Sequence, residues 1–217
     1  MQRQPGFVVA GMAWLLAGAG LLLGSWLLGR QPDPLLAVLL SQAAVALPVL
    51  VLLVVLRPRE LGLGPASPRN LLLGAGVGCL AIVSSFAING LTILIAGMPP
   101  KDLGVQQVID QLTERYGLAN LLLLTAVLAG LVEEALFRGV ILTGLRKHLS
   151  PAAAVLICAL LFAVLHLSPW RFLPQLALGC LLGWLTLRTG SCWPAAVAHA
   201  AHNGGVLLIA GWAKAHS

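Results

Sequence analysis

Long apolar runs separated by short polar stretches dominate this chain. An apolar run of about 20 residues is long enough, as a helix, to cross the hydrocarbon core of a bilayer. We predict spans at about residues 7–28, 35–56, 71–96, 118–145, 151–168, 172–187 and 194–212. The pattern therefore predicts an all-α fold, a polytopic membrane helix bundle with about seven to eight transmembrane helices, in which residues 1–217 form a single integral membrane domain.

Three local features refine this picture. Residues 57–65 are basic and rich in Pro and Gly, which predicts a surface loop. Residues 98–120 are the longest polar segment, and their apolar positions keep helical spacing, so we expect an amphipathic helix on the membrane surface or a lid over a site. Gly74, Gly76 and Gly78 predict close helix packing along the third span.

The composition excludes an ordinary soluble domain. Of 217 residues, 59% are hydrophobic and only 9% are charged, whereas about 25% charged is usual for soluble proteins. The net charge of +6 comes from basic residues scattered between the apolar runs, which indicates topology signals and lipid headgroup contacts rather than nucleic-acid binding. The Gly-, Ala- and Leu-rich sequence suggests a multi-pass protein of a bacterial inner membrane.

The fourth apolar run contains three charged residues, Glu133, Glu134 and Arg138. Each charge costs roughly 2.5–3.5 kcal/mol at mid-membrane, so such residues pair, face inward or perform chemistry. Glu134 and Arg138 are i and i+4, which predicts an ion pair on one helix face. Glu133 is turned about 100° away and has no such partner. We interpret Glu134 as structural and Glu133 as available for chemistry.

The fifth span carries Phe162 and His166 on one face. The fourth and fifth spans form an antiparallel pair, and Glu133 and His166 each lie about 16 residues from the turn near Leu149. At ~1.5 Å per residue the two side chains reach similar depth and can share a water molecule. The alternative is a lone histidine satisfied by a backbone carbonyl.

The last span carries His199, His202 and Asn203. His199 and Asn203 share a face, and both can donate hydrogen bonds to a developing oxyanion. His202 lies about 60° from His199 and borders the same side. The alternative is polar contact between helices, worth about 1 kcal/mol.

These groups are suited to hydrolysis of a peptide bond within the membrane. A buried glutamate can act as general base and acid, and Glu133 with His166 can polarise a water molecule. No serine or cysteine has a fitting base beside it, and there is no HExxH sequence. We expect no cofactor, although Glu133 with the histidines is an alternative Zn²⁺ ligand set.

Three motifs in this order resemble the CPBP (CAAX protease and bacteriocin-processing, ABI) family of intramembrane endopeptidases: EExxxR (Glu133, Glu134, Arg138), FxxxH (Phe162, His166) and HxxxN (His199, Asn203). The resemblance covers about residues 118–208. It implies a glutamate-dependent endopeptidase in which Glu133 and His166 activate the water, and His199 and Asn203 stabilise the oxyanion. Glu134 and Arg138 would support them.

The resemblance leaves the substrate open. The implied partners are the lipid bilayer and a membrane protein or peptide, and the implied roles are leader-peptide processing, removal of a C-terminal sorting tail, or bacteriocin immunity. Two other functions remain open on the residues alone. Intramembrane Glu and His also mark ion or proton pathways in transporters, and the same scaffold could serve as a non-catalytic membrane adaptor.

Overall fold

The computed structural model describes residues 5–28, 33–97 and 105–216, and these form seven helices without strands. Four of the helices are long and apolar enough to cross a membrane. The predicted all-α membrane bundle is therefore confirmed. The helices are α1 (Phe7–Leu28), α2 (Pro34–Leu53), α3 (Pro68–Ala96), α4 (from Val105 to Leu145), α5 (Pro151–Val164), α6 (Pro169–Thr189) and α7 (Trp193–Ala215).

Side-chain capping followed by proline starts three of these helices. Asp33, Ser67 and Ser150 each accept a hydrogen bond from a backbone N–H three residues later, and a proline follows each of them. The cap satisfies an otherwise unpaired donor, and proline at the first helical position loses nothing. The Ser67 cap explains why α3 begins at Pro68, three residues before the predicted start.

Helix α4 carries the two glutamates and is not uniform. It consists of α-helical Val105–Leu122, a π-helical segment Leu123–Leu128, α-helical Ala129–Glu134, a second π-helical segment Ala135–Leu142 and a short α-helical end. Widened π turns inside α-helices occur frequently at functional sites. The short α-helical stretch that ends at Glu134 is thus flanked by irregular backbone on both sides.

The amphipathic helix predicted within residues 98–120 is separated from the fourth span by a kink. Gly117 has non-helical backbone angles, with φ of 80° and ψ of 158°, so two helical pieces meet there within Val105–Leu122. Residues 98–104 of the predicted segment lie outside the described residues. Arg115 on this segment forms an exposed ion pair of 3.1 Å with Asp33 at the start of α2.

Two predictions need correction. The connector 57–65 is not purely a surface loop: Leu61 is fully buried, and the backbone oxygen of Gly62 accepts a hydrogen bond from the Cys192 N–H. The fifth span is shorter than predicted, because α5 ends at Val164 and His166 lies in the turn that follows.

The glycines of α3 divide into two groups. A Cβ at Gly74 or Gly78 would collide with backbone atoms of Pro194 or Ala198 on α7, whereas a Cβ at Gly76 would meet nothing within 4 Å. The prediction of close packing is therefore right for Gly74 and Gly78 and wrong for Gly76. The α3–α7 contact holds in place the helix that carries His199.

Candidate active site

Glu134 and Arg138 form the ion pair that their spacing predicts. Arg138 Nη1 donates to Glu134 Oε1 at 2.8 Å, and both side chains are fully buried. A buried ion pair needs further hydrogen bonds to offset the loss of hydration. The pair obtains two of them from other helices.

The additional bonds tie α4 to α6 and α7. Arg138 Nη2 donates to the carbonyl oxygen of Gly179 on α6 at 2.9 Å. His199 on α7 donates from Nδ1 to Glu134 Oε1 at 3.0 Å, because a carboxylate paired with arginine can only accept. Glu134, Arg138 and His199 therefore form one buried cluster, which we call the closed cluster.

Phe162 covers the closed cluster with its aromatic ring. The Arg138 guanidinium lies 4.9 Å from the ring centroid, and the His199 and His166 rings pack against it edge-on at 5.7 and 4.8 Å. Cation–π attraction stabilises a cation in this position. This arrangement gives the aromatic residue of the FxxxH motif a physical role, since its ring contacts both histidines and the arginine.

Glu133 faces a different environment from its neighbour. It lines a cavity of about 120 Å³ between α1, α2, α4 and α5, and its side chain is 18% exposed. His166 lines the same cavity, so the matched depth predicted for Glu133 and His166 is correct. A volume of this size holds several water molecules.

His166 has one ring nitrogen that is free to accept a hydrogen bond. Its Nδ1 lies 3.0 Å from the carbonyl oxygen of Phe162, four residues earlier. A carbonyl oxygen only accepts, so Nδ1 carries the proton and a neutral ring leaves Nε2 as an acceptor. The alternative interpretation, a histidine bonded to a backbone carbonyl, is thus correct for Nδ1. This bond fixes the tautomer and leaves Nε2 available.

His199 lies between the two glutamates. While Nδ1 bonds Glu134, its Nε2 is 4.0 Å from Glu133 Oε2. His199 therefore connects the closed cluster to the carboxylate that faces the cavity.

His202 and Asn203 belong to a second polar network. Asn203 Nδ2 donates to the carbonyl oxygen of Thr125 at 3.2 Å, and Asn203 Oδ1 accepts from His202 Nδ1 at 3.1 Å. His202 Nε2 in turn lies 2.8 Å from the Ser85 hydroxyl on α3. Neither His202 nor Asn203 lines the cavity that holds Glu133 and His166.

Sequence reasoning did not single out Ser41 and Gln42, which line the cavity from α2. The signal was present, since two adjacent polar residues interrupt an otherwise apolar span and polar residues within spans mark functional sites. Among the described residues, no group of three or more His, Cys, Asp or Glu side chains is arranged to hold a metal ion.

Residues 116–205 match the family model for type II CAAX prenyl endopeptidase Rce1-like proteins. The matched range contains all three motifs, and the resemblance to the CPBP family is confirmed. The matched segment is therefore similar to the CAAX protease family. The match supports a CAAX-type intramembrane endopeptidase in general, and with the four long apolar helices it makes the chain an integral membrane protein. No curated protein and no solved structure matches this sequence.

Proposed function

We propose that this CAAX-protease-family protein hydrolyses a peptide bond of a membrane-associated protein or peptide, with Glu133 as general base. The observation that carries the proposal is that Glu133 and His166 line the same cavity, which is large enough for water, while Glu134 is fully buried and paired with Arg138. Glu133 is thus the carboxylate that a water molecule can reach.

The proposed reaction begins with a water molecule between Glu133 and His166. Glu133 takes one proton as the water oxygen bonds to the carbonyl carbon of the substrate, and His166 Nε2 accepts a hydrogen bond from the other proton. The carbonyl electron pair moves to the oxygen and gives a tetrahedral oxyanion. The C–N bond then breaks, and Glu133 returns its proton to the leaving amine, so the carboxylate is regenerated.

Oxyanion stabilisation is proposed for His199 and Asn203. His199 is the better supported of the two, because its Nε2 lies 4.0 Å from Glu133 Oε2. Since its Nδ1 donates to Glu134, Nε2 donates to the oxyanion only when both ring nitrogens carry a proton, and the resulting positive charge lies beside the Glu134 carboxylate. For Asn203, the bond to Thr125 leaves one amide proton, which would serve the oxyanion only if the segment around Asn203 shifts toward the cavity. Positioned donors of this kind contribute about 10²–10³-fold to turnover.

The proposed substrate and cellular location are taken from the resemblance to the CPBP family. A leader peptide, a C-terminal sorting tail or a bacteriocin-related peptide in a bacterial inner membrane is the substrate we propose. We expect the protein to need no metal.

The test compares protein termini in membranes from cells that produce wild-type, Glu133→Gln or Glu114→Gln protein. Glu114 is an exposed glutamate of the same helix and controls for loss of a negative charge. We expect a set of termini, detected by mass spectrometry, to be present with wild-type and Glu114→Gln and absent with Glu133→Gln. Identical termini in all three, with every variant folded and inserted, would contradict proteolysis and favour the adaptor or transporter.

A further inference from the structure

Gln42 reaches the candidate active site from α2, which lies outside the segment matched by the family model. It lines the same cavity as Glu133 and His166. Its side-chain oxygen Oε1 is buried and has no hydrogen-bond partner. The neighbouring Ser41 differs, because its hydroxyl donates to the Val38 carbonyl at 2.7 Å.

An unpartnered buried amide oxygen is costly, and most buried polar groups in folded proteins are paired. A position in an apolar span is easily filled by leucine or methionine. A glutamine oxygen that no protein group pairs and that lies beside a cavity therefore points to a partner within the cavity, which is water in the free protein and the substrate once it is bound.

A peptide substrate bound beside Glu133 needs hydrogen-bond donors and acceptors for its backbone, and a glutamine side chain offers both. Cleavage requires a locally unwound backbone, whose N–H and C=O groups lose their helical hydrogen bonds. In an apolar cavity within a membrane, each such group costs several kcal/mol unless the protein satisfies it. The glutamine amide has one acceptor oxygen and two donor hydrogens, so it can bond both a backbone N–H and a backbone carbonyl of the substrate.

We propose that Gln42 binds the backbone of the substrate beside the scissile peptide bond. The inference rests on the proposed endopeptidase function and adds a substrate-binding residue from α2. It also assigns the N-terminal helices a part in the site, since α1 and α2 form the cavity wall opposite Glu133 and His166.

The test uses a matched pair of glutamines. Gln175 on α6 also has a buried Oε1 without a partner, but it does not line the cavity. Gln42→Met and Gln175→Met each remove one buried amide and keep a similar volume. Full-length variants in detergent are assayed on a synthetic peptide that spans a Glu133-dependent cleavage site found by the comparison of termini.

We expect Gln42→Met to raise KM about 3- to 10-fold, which corresponds to the loss of one or two neutral hydrogen bonds. The value of kcat should stay within about twofold, because these hydrogen bonds stabilise the ground state and the transition state equally. Thermal stability should be unchanged or higher, since the variant removes an unsatisfied polar atom. Gln175→Met should match this stability and keep the wild-type KM. A purely structural role for Gln42 predicts lower stability and no change in KM.

An altered substrate identifies the contact. Replacing the amide next to the scissile bond by an ester removes one N–H; this change should raise KM for the wild-type protein and add little to Gln42→Met. Equal KM values for wild type, Gln42→Met and Gln175→Met, with Glu133→Gln inactive, would overturn the role of Gln42 and leave the endopeptidase intact. Cleavage that does not depend on Glu133 would overturn both.

Discussion

Glu133 and Glu134 are neighbours in the sequence and occupy two contrasting regions. Glu134 lies in the closed cluster, fully buried, where Arg138 and His199 both donate to one of its oxygens. Glu133 lies on the cavity, where its carboxylate has room for water and faces His166. The comparison teaches that helix geometry alone gives adjacent carboxylates different surroundings, because a rotation of about 100° separates their side chains.

The two regions also differ in what holds them. The closed cluster links α4, α6 and α7 through residues that all lie within the family-matched segment. The cavity is closed by α1 and α2, which lie outside that segment. We infer that the closed cluster sets the geometry of the helices, whereas the cavity wall is where the substrate is recognised.

The largest expected effect is on activity, from Glu133→Gln. Loss of the general base should lower kcat about 10²–10⁴-fold, while the unfolding free energy should stay the same or rise, because the substitution removes a largely buried charge from a membrane span. Turnover of the identified peptide and thermal unfolding in detergent measure both quantities. Glu114→Gln is the control, and full activity of Glu133→Gln would remove the distinction between the two glutamates.

The next effect is on stability, from Arg138→Met. The change leaves Glu134 buried without its cation, and breaking a buried pair costs about 3–5 kcal/mol. Arg115→Ala is the control, because it breaks an exposed ion pair with Asp33, worth about 0–1 kcal/mol. Chemical denaturation in a mild detergent compares the two.

Adding Glu134→Gln to Arg138→Met should recover part of the loss, since the unpaired charge is then gone. Equal stability of Arg138→Met and wild type would show that the closed cluster does not hold the bundle together.

The sequence predicts local relationships well, for physical reasons that particular residues make clear. The Glu134–Arg138 pair follows from i and i+4 spacing, which any helix imposes. The shared cavity of Glu133 and His166 follows from rise per residue along two antiparallel helices. The prediction for His166 remains valid although α5 ends at Val164, since the turn still bonds its Nδ1 to the Phe162 carbonyl.

Contacts between distant helices were not predictable in the same way. Asn203 shares a helix face with His199, yet its amide bonds the carbonyl of Thr125 on α4, a choice set by how the two helices pack. The π-helical segments of α4 leave no signature in hydrophobic spacing. Gln42 was overlooked because the pair Ser41 and Gln42 has no charged or polar partner at helical spacing in the same span.

A smaller effect is expected where the N-terminal helices support the closed cluster. Gly78→Ala places a Cβ 2.5 Å from the Ala198 carbonyl oxygen, one residue before His199, and overpacking of this kind costs about 1–3 kcal/mol. Gly76→Ala is the matched control, because its Cβ meets nothing within 4 Å and alanine favours helix by up to ~1 kcal/mol. Thermal unfolding should therefore separate two substitutions only two residues apart, and equal shifts would contradict the α3–α7 contact.

The smallest expected effect is that of metal removal. If Glu133 and His166 alone activate the water, peptide turnover after exhaustive dialysis against a chelator should stay within about twofold of the untreated protein. A catalytic zinc site needs three protein ligands, each about 2.0–2.2 Å from the ion, and among the described residues no three His, Cys, Asp or Glu side chains are grouped in that way. A zinc-dependent peptidase treated in the same buffer confirms that the chelator works. Activity that is lost and then restored by Zn²⁺ would make Glu133 a metal ligand rather than a free base.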